Sequence, residues 1–188
     1  MLRREGIAAL VRRLDNEPVI ANLGPATFDL YAAGDRDANL YTWGAMGLAS
    51  SVALGVALAA PDRKVFVTDG DGSLLMNLGS LATIARQAPP NLVHIVWDNR
   101  MWYETGGQPT HTSTGTDLAG IALAAGIRNV ARAGTVEAFE EALDRAIREP
   151  GPWFIHVDIE ETGEPRQRPT GVGEEKPGKL RPPLTGAS

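Results

Sequence analysis

The chain has 188 residues, 43% apolar and 22% charged, with no cysteine and a formal net charge of −5, enough for one domain with a sizeable core. The acidic balance and the lack of a Lys/Arg stripe argue against nucleic acid as a partner, and the absence of cysteine excludes disulfides and thiolate chemistry. No apolar run nears the roughly 20 residues that span a bilayer, and the N-terminal stretch, interrupted by Arg12 and Arg13, does not read as a signal peptide, so the expected location is the cytoplasm.

In chain order, residues 2–14 are expected to form an amphipathic helix with Leu2, Ile7, Leu10, Val11 and Leu14 on one side. The run 18–24 (PVIANLG) reads as a strand ending at Gly24, where Asn22 and Gly24 either border a pocket or only make a turn. Asp35 and Asp37 fall in a polar, solvated loop. Residues 39–47 (NLYTWGAMG) read as a short strand and a glycine turn. Residues 48–60 read as a helix rich in small side chains, suited to close packing on a sheet or on another chain.

Residues 64–70 (KVFVTDG) are expected as a strand, and 73–87 as one helix with Leu74, Leu75, Leu78, Leu81, Ala82 and Ala85 at helical spacing. A second apolar strand, 91–99 (NLVHIVWDN), leads into a long loop of glycines, hydroxyls and aromatics, 100–116. A helix over 117–126, a short strand over 127–133, a helix over 135–150 opened by Thr135 and a last strand over 151–159 follow. Strands alternating with helices imply right-handed crossovers and a parallel sheet covered on both faces, and the near-continuous apolar runs 65–67 and 92–97 agree. The expected fold class is therefore α/β, a three-layer sandwich around a central, mostly parallel sheet of about six strands. Residues 1–160 form the domain, and the Pro/Gly-rich segment 161–188 reads as a flexible tail too poor in apolar side chains to fold alone.

Chemistry concentrates at residues 69–73 (DGDGS). Ligands of open parallel sheets bind beyond the carboxyl ends of strands. Gly70 and Gly72 let the backbone turn tightly and approach a ligand, and Ser73 and Leu74 open a helix whose first amides suit an anion. A carboxylate, Asp71, inside an anion site calls for a cation between the two. Mg²⁺ takes one or two oxygens from protein and shares others with phosphate. The turn thus reads as a seat for a metal-bridged diphosphate. A further oxygen is expected from the tip of the neighbouring strand, where Asn99 offers an amide, Asp98 another charge, and Arg100 or Met101 a backbone carbonyl. Neither a P-loop nor a dinucleotide fingerprint is present.

On the later loop, His111 and Gln108 are the candidates for touching a substrate acid group or shuttling a proton, with Thr110 as a further donor; the plain alternative for His111 is a surface histidine. His94 and His156 lie inside apolar strands and read as structural. Trp97, Trp102 and Tyr103 read as packing residues, with Trp102 or Tyr103 at the pocket mouth, and Arg100 is the nearest positive charge in the loop.

GDGS, a helix, and a strand ending in DN together resemble the thiamine diphosphate signature, except that Asp98 stands in place of the first asparagine. Three longer segments, WGAMGLASSVALGVALA, TDGDGSLLMNLGSLATI and WDNRMWYETGGQPTHT, resemble the diphosphate-binding half of sulfopyruvate and phosphonopyruvate decarboxylases, over residues 18 to about 160. The resemblance implies a thiamine diphosphate-binding fold with Mg²⁺ held by Asp71, the Asn99 side-chain oxygen and the Met101 carbonyl. It implies that Gly70, Gly72 and Ser73 belong to the diphosphate seat. It also implies that Met46 props the cofactor's bent shape and that the Gly44 carbonyl accepts from its aminopyrimidine. The expected function is that of the diphosphate-binding (β-type) subunit of a two-component decarboxylase of a small 2-oxo acid, giving an aldehyde and CO₂. A separate pyrimidine-side (α-type) subunit would supply the activating glutamate in a hetero-oligomer. Two readings stand beside it: an acetolactate synthase-like carboligase subunit, and a non-catalytic subunit that keeps the fold. Oxidoreductases with an internal iron–sulfur cluster are disfavoured by the absence of cysteine.

Overall fold

A computed structural model describes residues 1–160; the tail expected over 161–188 lies outside the described residues. Runs of β-branched and aromatic residues form the strands β1 (Val19–Ala21), β2 (Asn39–Tyr41), β3 (Val65–Gly70) and β4 (Leu92–Asp98). A two-residue pair, β5 (Met101–Trp102) and β6 (Gln108–Pro109), makes a small antiparallel hairpin inside the long loop. β7 (Asn129–Ala133) and β8 (Trp153–Asp158) complete the set. The main sheet has six strands in the order β2-β1-β3-β4-β8-β7, and every pairing is parallel.

Side chains of a strand alternate between its two faces, so each strand feeds two cores. On one face Val19, Ala21, Phe66, Ile95 and Trp97 pack with Ile7, Leu10, Leu30, Phe139 and Leu143. These last come from α1 (Arg3–Val11), α2 (Pro25–Ala33) and α7 (Val136–Arg148). On the other face Ile20, Val65, Val67, Leu92 and Val96 pack with Ala53, Leu81, Ile84, Leu118 and Ala122. Those come from α3 (Ala49–Ala59), α5 (Gly79–Gln87) and α6 (Leu118–Ala124). The three layers match the expectation. Among the described residues no helix is long and apolar enough to cross a membrane.

Two elements differ from the sequence reading. Residues 25–33 form the helix α2, which the reading did not anticipate. Pro25 occupies its first turn, where the fixed φ suits a helix and the missing N–H costs nothing. Thr27 Oγ1 ties it to the Asn22 carbonyl at 2.7 Å. The helix expected over 73–87 is instead two, α4 (Asp71–Leu75) and α5, separated at residues 76–78. There Asn77 Nδ2 donates to the Gly47 carbonyl at 3.0 Å, anchoring the break to the glycine turn after β2.

The chain leaves β1 toward β2 on one side, whereas β3 leads to β4 on the other. In such sheets the crevice opens beyond the carboxyl ends where direction reverses. Here that point lies between the ends of β1 and β3, at Asn22 and Gly70.

Candidate active site

A cleft occupies this switch point. Its lining brings together Asn22 after β1, Asp69 to Ser73 at the end of β3, Asn99 and Met101 after β4, and Met46 from the turn before α3. Of the residues expected at a cofactor, Met46, Gly70, Asp71, Gly72, Ser73, Asn99 and Met101 all line it. Gly44 does not; it lies exposed on the preceding turn at φ +70°. Gln108 and His111 also lie outside the lining. Gln108 is exposed and bonds with Thr105, while the exposed His111 ring meets Trp102 edge-on with centroids 5.6 Å apart. Trp102, Tyr103 and Glu104 from the long loop form one wall.

The GDGS turn is held from two directions. Ser73 Oγ accepts the Gly47 amide at 2.9 Å, and Gly47 meets it at φ +83°, a left-handed conformation that glycine adopts without strain. A Cβ at Gly72 would drive into the Trp102 indole, so glycine here allows the loop wall to close onto the turn. The first amides of a helix lack intrahelical partners, and at Gly72 and Ser73 they stand at the cleft.

Asp71 is 2% exposed. Its Oδ2 accepts from Thr110 Oγ1 at 2.5 Å, and Thr112 Oγ1, whose one proton goes to Asp98, lies 3.3 Å from the same oxygen. Burial pushes its carboxyl from the ordinary 3.8 up to about 6; the Thr110 bond opposes this, and the nearby Asp98 charge adds to it. Asp98 behaves oppositely. Burial works to raise it, but hydrogen bonds from His156, Thr112 and the Arg100 amide outweigh burial and hold it below its ordinary value. Asp98 Oδ1 takes Thr112 Oγ1 at 2.8 Å and the Arg100 amide at 2.9 Å, and Oδ2 meets His156 Nε2 at 2.8 Å. Arg100, at φ +61°, sits in a conformation that costs a side-chain-bearing residue about 1 kcal/mol, and the Asp98 carboxylate holds that turn. The Asn99 carboxamide, with its Oδ1 accepting from the Met101 amide at 3.2 Å, faces the cleft beside it.

This donor set fits a hard divalent cation. Asp71 is a buried carboxylate met by neutral hydroxyls next to a second carboxylate, so the local charge is unbalanced until a cation arrives. The neighbouring groups are an amide oxygen and backbone carbonyls, the oxygen ligands that Mg²⁺ prefers. Among the described residues no group of three His, Cys, Asp or Glu side chains gathers as a metal cluster; the candidate set mixes side chain and backbone instead.

Several cleft residues were not singled out from the sequence. Arg3 is the only cationic side chain among the described residues of the lining. It is 5% exposed, with Nε donating to Asp29 Oδ2 at 2.9 Å. Arg100, the cation the sequence suggested, lies half-exposed in an ion pair with Asp158. Asp69, on the cleft floor, accepts the Gly70 amide at 2.9 Å and meets the buried His94 Nε2 at 3.3 Å.

Comparison with known proteins places this geometry in a family. A family model described as thiamine pyrophosphate enzyme, C-terminal TPP binding domain, matches residues 27–157. The chain belongs to the thiamine pyrophosphate enzymes, through that domain. Within them it falls with the sulfopyruvate and phosphonopyruvate decarboxylases. It is 46% identical over 157 residues to a phosphonopyruvate decarboxylase of Streptomyces hygroscopicus, covering 81% of this chain but only 39% of that protein. It is 43% identical over 160 residues to the sulfopyruvate decarboxylase subunit beta of Methanothermobacter thermautotrophicus, covering 85% of this chain and 83% of that one. The chain thus spans well under half of the first relative and most of the second. Its fold superposes on a 2-oxoglutarate:ferredoxin oxidoreductase of Magnetococcus marinus with a TM-score of 0.72 at 21% identity, over 85% of this chain and 62% of that one.

Proposed function

We propose that the chain is the diphosphate-binding component of a two-component, thiamine diphosphate- and Mg²⁺-dependent decarboxylase of a small 2-oxo acid. The observation that carries this is the pairing of Asp71 and Asn99. They sit at the tips of the hydrogen-bonded neighbours β3 and β4, line one cleft, and leave a buried carboxylate in want of a cation. Asp71, Asn99 and the Met101 carbonyl hold the ion, and the Gly72 and Ser73 amides face the diphosphate. When bound, the cofactor supplies the nucleophilic carbon and the electron sink that decarboxylation requires.

The chain's own residues do the rest. Met46 supports the ring system from the cleft wall, and Trp102 covers the turn and excludes water. Arg3 offers the cleft's cation to a second acidic group on the substrate, such as the sulfonate or phosphonate named in the relatives. The relatives named subunit beta support a separate partner chain. So do Leu48 and Met76, two exposed apolar side chains beside the Gly47 turn. That surface suits an α-type subunit closing the cleft with its activating glutamate.

Calorimetry with thiamine diphosphate and Mg²⁺, with and without the α-type chain, tests the reading. Heat is expected from the wild-type pair and not from the Asp71→Ala pair. No heat from the wild-type pair overturns the cofactor assignment, and tight binding by the lone chain overturns the split site.

A further inference from the structure

The thiamine diphosphate signature carries asparagine where this chain has Asp98, and that added charge is met from β8. We propose that His156 and Asp98, acting through Thr112 and Thr110, form a brace that orients the Asp71 carboxylate. The links are consecutive. His156 Nε2 meets Asp98 Oδ2 at 2.8 Å, and Thr112 Oγ1 donates to Asp98 Oδ1 at 2.8 Å. Thr110 Oγ1 donates to Asp71 Oδ2 at 2.5 Å, and the two threonine oxygens rest 2.8 Å apart, a contact rather than a hydrogen bond because each proton is given to a carboxylate. Asp98, Thr110, Asp71 and His156 are all buried, where a satisfied polar network is stiff and a broken link leaves a desolvated group unpaired.

The chemistry explains why a carboxylate serves at position 98. Ionised, it only accepts. It can take the His156 N–H, the Thr112 O–H and the Arg100 amide at once, the last at 2.9 Å. One side chain therefore fixes the Thr112 hydroxyl and the turn that presents Asn99 and Met101. Both threonines fall on the same oxygen of Asp71, Oδ2, at 2.5 and 3.3 Å, and neither bonds to Oδ1. The brace spans the ends of β3, β4 and β8 and the loop after β6. His156, Asp98, Thr112 and Thr110 are positioning residues. The value of the brace to catalysis rests on the reading of Asp71 as a cation ligand; its geometry does not.

The test uses the ligand-free full chain and follows the Gly72 amide, which donates to the Asp71 carboxylate, by ¹H–¹⁵N NMR. Thr112→Val and His156→Phe are expected to shift the Gly72 resonance and speed its amide exchange about tenfold, the loss of roughly one buried hydrogen bond. Thr112→Ser and His156→Gln, which restore a donor, are expected to stay within about twofold of wild type. An unmoved Gly72 in Thr112→Val overturns the brace. So does a rise in exchange spread evenly over the sheet, or failure of Thr112→Ser to rescue. A separate titration of the chain and its α-type partner with Mg²⁺ and thiamine diphosphate tests the ligand role of Asp71, and its failure leaves the NMR result standing.

Discussion

Replacing Asp71 by asparagine is expected to stabilise the ligand-free chain while removing its cation site. Burial, with Asp98 nearby, raises the Asp71 carboxyl from 3.8 to about 6. At about 1.4 kcal/mol per pKa unit, the folded chain carries a penalty of about 3 kcal/mol once the group is ionised. The sign follows from where the proton sits. Near pH 4 and below, folded and unfolded chains both hold it and no penalty exists. Between about 4 and 6 the unfolded chain releases it while the folded chain retains it, and the penalty grows. Above about 6 the folded chain must ionise too, and the full cost is present. Asparagine never ionises; its oxygen still accepts from Thr110, and its amide can donate to Asp98. With about 2–4 °C per kcal/mol at this chain length, a gain of up to about 6–12 °C in Tm is expected at pH 7.5, shrinking toward zero near pH 4. Thermal melts of both proteins at the two pH values measure it. An Asp71→Asn chain no more stable than wild type at pH 7.5, or a gain independent of pH, would refute the argument.

Gly72→Ala should lower Tm by a few degrees, because its methyl meets the Trp102 indole, about 1 kcal/mol for a wall that can partly yield; the same substitution in a Trp102→Ala background should cost almost nothing, and equal losses in both backgrounds would disprove the steric cause. Asn91→Ala should cost about 2–4 kcal/mol by denaturant melts, because the buried Nδ2 donates to the carbonyls of Ala57, Ala60 and Arg63 at 3.0, 2.9 and 2.8 Å, and these lose their shared donor together; a loss below about 1 kcal/mol would contradict that role.

What could be read from the residues was whatever local pattern determines. The apolar runs 65–67 and 92–97 declared buried parallel strands, and DGDGS followed by a strand ending in Asn99 declared the cleft, because strand ends and glycine turns are local. The helix after Gly24 has a weak local signature, because a proline following a glycine serves a turn as readily as it opens a helix. The break at 76–78 has a long-range cause: Asn77 bonds to Gly47, 30 residues earlier, while the apolar spacing runs straight across it. Site details that depend on distant partners were equally hidden. Nothing near Asp98 foretells His156, 58 residues on, and Arg3 reaches the cleft only because α1 packs over the sheet end. Arg100, close in sequence to the ligands, is drawn outward by Asp158.

The last of the described strands, β8, is threaded between β4 and β7 rather than added at an edge. A polypeptide emerging from the ribosome can align its first four main-sheet strands while β7 still waits for a neighbour to hydrogen-bond with. Among the described residues only β8 joins the two parts, and it carries His156 to its place beside Asp98 in the same movement. Completion of the sheet and of the support behind the cleft is thus one event.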